Sequence, residues 1–173
     1  IPFTAPTGAG KTIIMSAFIE ALYTGDSYQG AQNDAIVLWI SDAPELNEQS
    51  KAKLYKVADK LWNRTVVTID EHSFKANKLQ LGTIYYVNTQ KFGANSNLVK
   101  YSDERNYTGW DFMRNTIEEF GDKLIVIIDE AHRGAKPNEM GAQMSIMQKF
   151  ILGSDTDNMP SMPLVIGMSA TLE

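Results

Sequence analysis

Ala5-Pro6-Thr7-Gly8-Ala9-Gly10-Lys11-Thr12 lies between a short strand-like run, Ile1-Pro2-Phe3-Thr4, and a segment with helical periodicity, Lys11 to Tyr23. Strand, glycine-bearing loop and helix, in that order, are the setting of a phosphate-binding loop. Gly8 and Gly10 permit backbone conformations that a side chain would forbid. Successive N–H groups can then turn inward, and the helix N-terminus adds its partial positive charge. In that arrangement Thr7, Gly8, Ala9, Gly10, Lys11 and Thr12 cradle the phosphates of ATP. Lys11 reaches the β- and γ-phosphates, and the Thr12 hydroxyl ligates Mg²⁺. The plainer alternative is a glycine turn that starts an ordinary helix and leaves Lys11 solvated.

Outward from this loop, short apolar runs alternate with longer helical patterns, which argues for an α/β fold with a parallel sheet between two helical layers. The Lys11–Tyr23 helix is expected to bury Ile14, Ala17, Phe18 and Leu22. Ala35 to Ile40 is continuously apolar, as a parallel strand buried on both faces should be. A helix follows, with Asp42 as its cap, Pro44 in its first turn and Glu45 completing a capping box, running to about Leu61 or Trp62. Thr65 to Ile69 and Thr83 to Val87 read as strands. Phe92 to Thr108 reads as an exposed polar loop, Gly109 to Phe120 and Asn138 to Leu152 as helices, and Leu164 to Met168 as the last strand. The Met140, Met144, Met147 and Ile151 stripe is expected in the core rather than on a docking face. Trp39 reads as packing, and Trp62 and Trp110 as anchors rather than base-stacking rings.

Leu124-Ile125-Val126-Ile127-Ile128 is the strongest strand pattern in the chain, and Asp129-Glu130 follow it directly. This places two carboxylates at the carboxyl end of a buried strand, where open α/β sheets bind ligands. Asp129 is suited to hold Mg²⁺, directly or through water, because magnesium takes oxygen ligands and keeps several waters. Glu130 is suited to orient and deprotonate an attacking water, since phosphoryl transfer needs mainly positioning and charge stabilisation. Alone, the pair could equally cap the next segment; together with the loop it points to nucleotide chemistry.

Composition narrows the class. The 173 residues suit one domain, and the absence of cysteine removes disulfides, thiolate zinc sites and cysteine nucleophiles. It fits a reducing cytoplasm, and no membrane-length apolar run or secretory signal is visible. The net charge of −5 is unlike a dedicated nucleic-acid-binding module. It leaves room for a motor that grips nucleic acid through hydroxyls, backbone amides and helix N-termini. The abrupt start and end of the chain suggest a segment of a longer protein.

The residues resemble a known family. Asp129-Glu130-Ala131-His132 resembles motif II of the DEAH-box group of superfamily-2 helicases, Ala5 to Thr12 its motif I, and Ser169-Ala170-Thr171 its motif III. Ala5 stands in a slot where helicase-type loops usually carry Ala rather than Gly. Within the superfamily the chain looks most like the helicase (Res) subunit of type III restriction enzymes, through Leu38 to Gln49, Thr89-Gln90 and Ala131-His132-Arg133.

The resemblance implies the first of two RecA-like domains, with ATP hydrolysed when the second closes. It also implies that His132, Ser169 and Thr171 couple nucleotide state to the nucleic-acid track, and that Thr89 and Gln90 touch the nucleic-acid backbone. Each of these residues also has a bland reading as a satisfied loop histidine, a strand-end turn or a polar strand terminus. Three parts of the family pattern are missing: Pro44 stands where motif Ia usually carries Arg, no glutamine-bearing adenine-recognition segment precedes Ile1, and no second domain with an arginine finger follows Glu173.

The implied partners are double-stranded DNA, a second RecA-like domain of the same chain and a modification or specificity subunit, with no membrane. Alternatives are an RNA-directed DEAH-type helicase and a non-motor ATP-sensing module. A P-loop kinase would have no use for Asp-Glu-Ala-His and Ser-Ala-Thr.

Overall fold

The computed structural model describes residues 1–5, 10–130 and 144–169. Among them, β1 (Pro2–Thr4), β2 (Ile36–Ser41), β3 (Val66–Thr68), β4 (Ile84–Asn88), β5 (Leu124–Ile128) and β6 (Val165–Ser169) form one sheet. Its order is β1-β6-β5-β2-β4-β3, and all five pairings are parallel. The helices α1 (Lys11–Thr24), α2 (Pro44–Val57), α3 (Gly109–Phe120) and α4 (Ile146–Leu152) supply the crossovers that parallel strands require.

Period-two alternation assigns the helices to faces. Val37, Trp39, Tyr86, Ile125, Ile127 and Met168 pack with Met15, Ile19, Leu22 and Tyr23 of α1 and Leu54 of α2. Leu38, Ile40, Tyr85, Val87, Val126 and Ile128 pack with Phe112 and Met113 of α3 and Met147 and Phe150 of α4. The result is the expected three-layer α/β/α sandwich. Every residue of β2, β4 and β5 is buried, and each large aliphatic among them contributes roughly 1.5–3 kcal/mol.

Three sequence expectations need correction, and a fourth needs sharpening. First, α1 is rotated: it buries Met15, Ile19, Leu22 and Tyr23, whereas Ile14 is 48% exposed and Ala17 is also exposed. Two apolar stripes compete on this helix, and the bulkier one wins. Tyr23 secures it by donating to the Ala35 carbonyl at 2.8 Å beneath β2, with the Arg64 guanidinium over its ring.

Second, Asp42 does not cap α2. The N-cap is Ala43, with no side-chain cap, and Pro44 opens the helix; its fixed φ and missing N–H suit that position. The helix stops at Val57, and a separate 3₁₀ turn, Asp59–Leu61, carries the chain on. Third, α4 is short. Ser145 caps it in a capping box with Gln148, so Met144 precedes the helix; Met140 lies outside the described residues. Met147 is core as expected.

Fourth, Phe92 to Thr108 is a mostly exposed loop, as expected, but it is pinned by a few buried residues. Phe92, Leu98 and Arg105 are 2%, 0% and 3% exposed. Two 3₁₀ turns, Thr89–Phe92 and Asn97–Val99, give the segment shape. Phe92 packs between Trp110 and Phe150 at centroid distances of 4.8 and 4.9 Å. Trp39 and Trp110 are buried anchors, whereas Trp62 is 67% exposed and donates its indole N–H to the Tyr55 carbonyl.

The contact that seats this excursion is made at Gly109, the first residue of α3. A Cβ there would come within 2.7 Å of the Phe92 ring and 3.3 Å of Leu98. Gly109→Ala is therefore expected to destabilise the fold by roughly 1–3 kcal/mol, read as a lower urea midpoint with an unchanged m-value.

Candidate active site

The site sits at the carboxyl edge, around the three strands β1, β6 and β5. β6 lies between the strand that leads into the glycine loop and the strand that ends in two carboxylates, with Thr4 paired to Ser169 and Ile128 to Gly167. The Ala5 N–H donates to the Ser169 carbonyl at 3.3 Å, so the loop's first residue is fixed to the end of β6. On the other flank, the Asp129 N–H donates to the Ile40 carbonyl at 2.9 Å, tying the carboxylates to β2.

On the loop side, Gly10 is the N-cap of α1 in the left-handed conformation, φ 75°. A side chain there is strained, by roughly 1–2 kcal/mol, so the glycine is required by backbone geometry. Among the described residues no side chain caps α1, and its first turn carries no acidic residue. The N-terminal charge of the helix thus lacks the usual protein-supplied neutraliser, which is the arrangement that receives an anion. The Lys11 ammonium arches back and donates to the Ala5 carbonyl at 3.3 Å, over the entrance of the loop. Thr12 follows it on the first turn, where the Ser16 hydroxyl donates to its carbonyl at 2.7 Å.

On the carboxylate side, burial raises the pKa of Asp129, and the charge of Glu130 and that of Asp42 raise it further. The Glu130 N–H, which donates to Asp129 Oδ1 at 3.0 Å, and the Lys11 charge oppose the rise. Glu130 itself adopts φ 54°. That region is costly for a residue with a side chain, and such strain clusters at functional sites. A partly desolvated carboxylate beside a second one, near a lysine and a helix start with no side-chain cap among the described residues, would suit a divalent cation and would let it offset phosphate charge. These residues therefore suit Mg²⁺ and a nucleoside triphosphate.

Gly10, Lys11, Asp129 and Ser169 are brought to one edge, and Thr12 and Glu130 extend it. Thr7, Gly8, Ala9, His132 and Thr171 lie outside the described residues. Thr89 and Gln90 begin a 3₁₀ turn at the end of β4, two strands along the same edge. Gln90 Nε2 donates to the Asp42 carbonyl at 3.4 Å. Asp42, expected as a helix cap, instead stands between the Gln90 turn and Asp129. Pro44 was the signal, because a proline at the first helical position moves the cap to Ala43.

A family model described as type III restriction enzyme, res subunit, matches residues 1–173. No curated protein matches. Among solved structures, a variant of Saccharomyces cerevisiae Dbp5 bound to RNA and ADP BeF3 superposes with a TM-score of 0.58 at 18% identity. The match covers 100% of this chain and 36% of that one, so this chain spans about a third of its length. The likeness is one of fold: the parallel sheet with flanking helices is that of a RecA-like helicase domain.

The raised pKa of Asp129 has a stability consequence. Its folded-state value lies above the unfolded 3.8, so the folded protein binds the proton more tightly. The cost is fully present at neutral pH and disappears as pH falls through the folded pKa toward the unfolded one. Asp129→Asn is expected to raise the melting temperature of the nucleotide-free protein at pH 7, with the gain shrinking toward pH 4, in thermal melts run across that range.

Proposed function

We propose that this chain, which belongs to the type III restriction enzyme res subunit family, is the ATP-hydrolysing half of a nucleic-acid motor whose track is duplex DNA. The observation that carries the reading is the convergence at one sheet edge of a helix N-terminus without a side-chain cap among the described residues, Lys11, and the Asp129-Glu130 pair, of which Asp129 is destabilised by burial. Thr7 to Thr12 hold the triphosphate through backbone amides, with Lys11 on its outer phosphates. Thr12 and Asp129 hold Mg²⁺, which would neutralise charge developing on the transferred phosphoryl group. Glu130 orients a water and takes its proton. Its fixed backbone angle favours that task, because a base must stand within hydrogen-bond reach of the water it activates.

Ser169 ends the strand between the two halves of the site, and is the residue through which a change at the phosphates reaches β6. We assign it a coupling role together with Thr171 and His132. Thr89 and Gln90, on the same edge, are proposed to touch the nucleic-acid backbone. The restriction family supports a DNA track in this reading; the Dbp5 structure, bound to RNA, keeps an RNA track as the second reading. The second RecA-like domain, with its arginine finger, and a modification or specificity subunit belong to the same proposal. The 173 residues alone are then expected to bind ATP weakly and turn it over slowly. Among the described residues no helix is long and apolar enough to cross a membrane.

In the intact protein, Glu130→Gln should lower the ATPase rate by roughly 10²–10⁴-fold while leaving binding of a fluorescent ATP analogue in place. Lys11→Ala should abolish that binding. An ATPase rate unchanged by Glu130→Gln would instead support an ATP-sensing module. Comparing stimulation by duplex DNA with stimulation by RNA separates the two tracks.

A further inference from the structure

The carboxyl edge continues past β4 to a second concave surface. The turn after β3 is rigid: the Asp70 carboxylate accepts the N–H groups of His72 and Ser73 at 2.7 and 3.0 Å and the Ser73 hydroxyl at 2.6 Å. These bonds, the Ser73 hydroxyl first, hold its pKa down at about 2. Between this turn and the Phe92–Thr108 excursion lies a cavity of about 350 Å³ whose walls include Glu71, Lys75, Lys100, Tyr101, Glu104 and Arg105.

Arg105 fastens the excursion to the turn. It is 3% exposed, and its Nη2 donates to the Glu71 carbonyl at 2.6 Å, while Nη1 makes no hydrogen bond among the described residues. A buried, incompletely satisfied guanidinium is costly, so the wall it supports is a built feature rather than a loose loop.

The charges at the mouth are held differently. Glu71, on the cavity wall, is engaged at 2.5 Å by Lys91, which does not line the cavity. Lys75 meets Glu104 at 3.4 Å, with side chains 38% and 86% exposed; such a surface pair is worth little and is readily exchanged. Lys100 donates to the Asn95 carbonyl over a long 3.4 Å. Two ammonium groups are thus loosely committed.

Beside them stands Tyr101, 68% exposed. The Asp111 carboxylate near its hydroxyl raises the pKa of that group. Asp111 is fixed in turn by the Thr108 N–H at 2.9 Å and by Arg114 at 2.8 Å. An exposed aromatic ring with ammonium groups on the walls of the same cavity is the combination that binds single-stranded nucleic acid without sequence preference.

We propose that this cavity grips one nucleotide of an unpaired nucleic-acid strand, its base on the Tyr101 ring and its phosphate between Lys75 and Lys100. The site lies beyond Thr89 and Gln90 on the same edge and would take a strand separated from the duplex; it rests on the reading of the domain as a nucleic-acid motor. Glu104 is the counterion that the phosphate displaces from Lys75. Arg105 is a positioning residue that holds the wall.

The test uses the intact protein and fluorescein-labelled single-stranded oligonucleotides of DNA and RNA, with affinity measured from low to high KCl. Lys75→Gln combined with Lys100→Gln should weaken binding and flatten the dependence of log affinity on log salt by roughly 0.7 for each phosphate that is no longer neutralised. Tyr101→Ala should weaken binding on the order of tenfold, and Tyr101→Phe should not. Unchanged thermal melting of each variant shows an intact fold. An unaltered salt slope in the double variant, or unaltered affinity in Tyr101→Ala, overturns the proposal while leaving the motor reading in place. Failure of the wild-type protein to bind any oligonucleotide, duplex included, overturns the motor reading and this site with it.

Discussion

The parallel ladder that seats β6 between β1 and β5 is the contact on which the rest of the molecule depends. It spaces the glycine loop from the carboxylate pair by one strand, and it anchors both: the Ala5 N–H to the Ser169 carbonyl, the Ile128 register to Gly167. Without β6, Lys11 and Asp129 would belong to separate edges. The neighbouring β5–β2 pairing then fixes Asp129 from the far side through Ile40. An active centre assembled from three strand ends inherits the stiffness of a sheet buried on both faces. That rigidity lets Asp129 hold its charge where burial disfavours it and lets Glu130 keep a left-handed backbone.

The sequence was most legible where one physical signal spoke alone. The runs at β2 and β5 could be nothing but strands buried on both faces, and they fixed the parallel architecture. The placement of Gly10-Lys11-Thr12 at a helix start and of Asp129-Glu130 at a strand end was readable because loop, strand and helix periodicities agreed. Legibility failed where two signals competed. On α1 two apolar stripes differed by about one residue of rotation, and only the distant Ala35 carbonyl and Arg64 select the one carrying Tyr23. At α2 the Asp42 capping pattern and Pro44 proposed different starts, and the proline prevailed.

The anchoring of the Phe92–Thr108 loop was not legible for another reason. Its polar composition describes its surface, whereas its shape is set by a few buried points contributed from afar: Phe92 against Phe150, Leu98 beneath Gly109, Arg105 on the Glu71 carbonyl. No local pattern announces contacts of that kind. Residues that looked like ordinary solvated charge are consequently held in a defined arrangement beside the edge that carries the candidate chemistry.

The pairing of β1 with β6 also orders events in time. Thr4 and Ser169 are partners across almost the whole sequence, so closing that ladder carries the largest loop-closure cost in the sheet. During synthesis the β2–β4–β5 core can condense while β1 waits for β6 to emerge. The start of α1, carried by β1, meets the end of β5 only once β6 is in place. Under the proposed role, the edge that would receive a nucleotide is therefore completed late in folding.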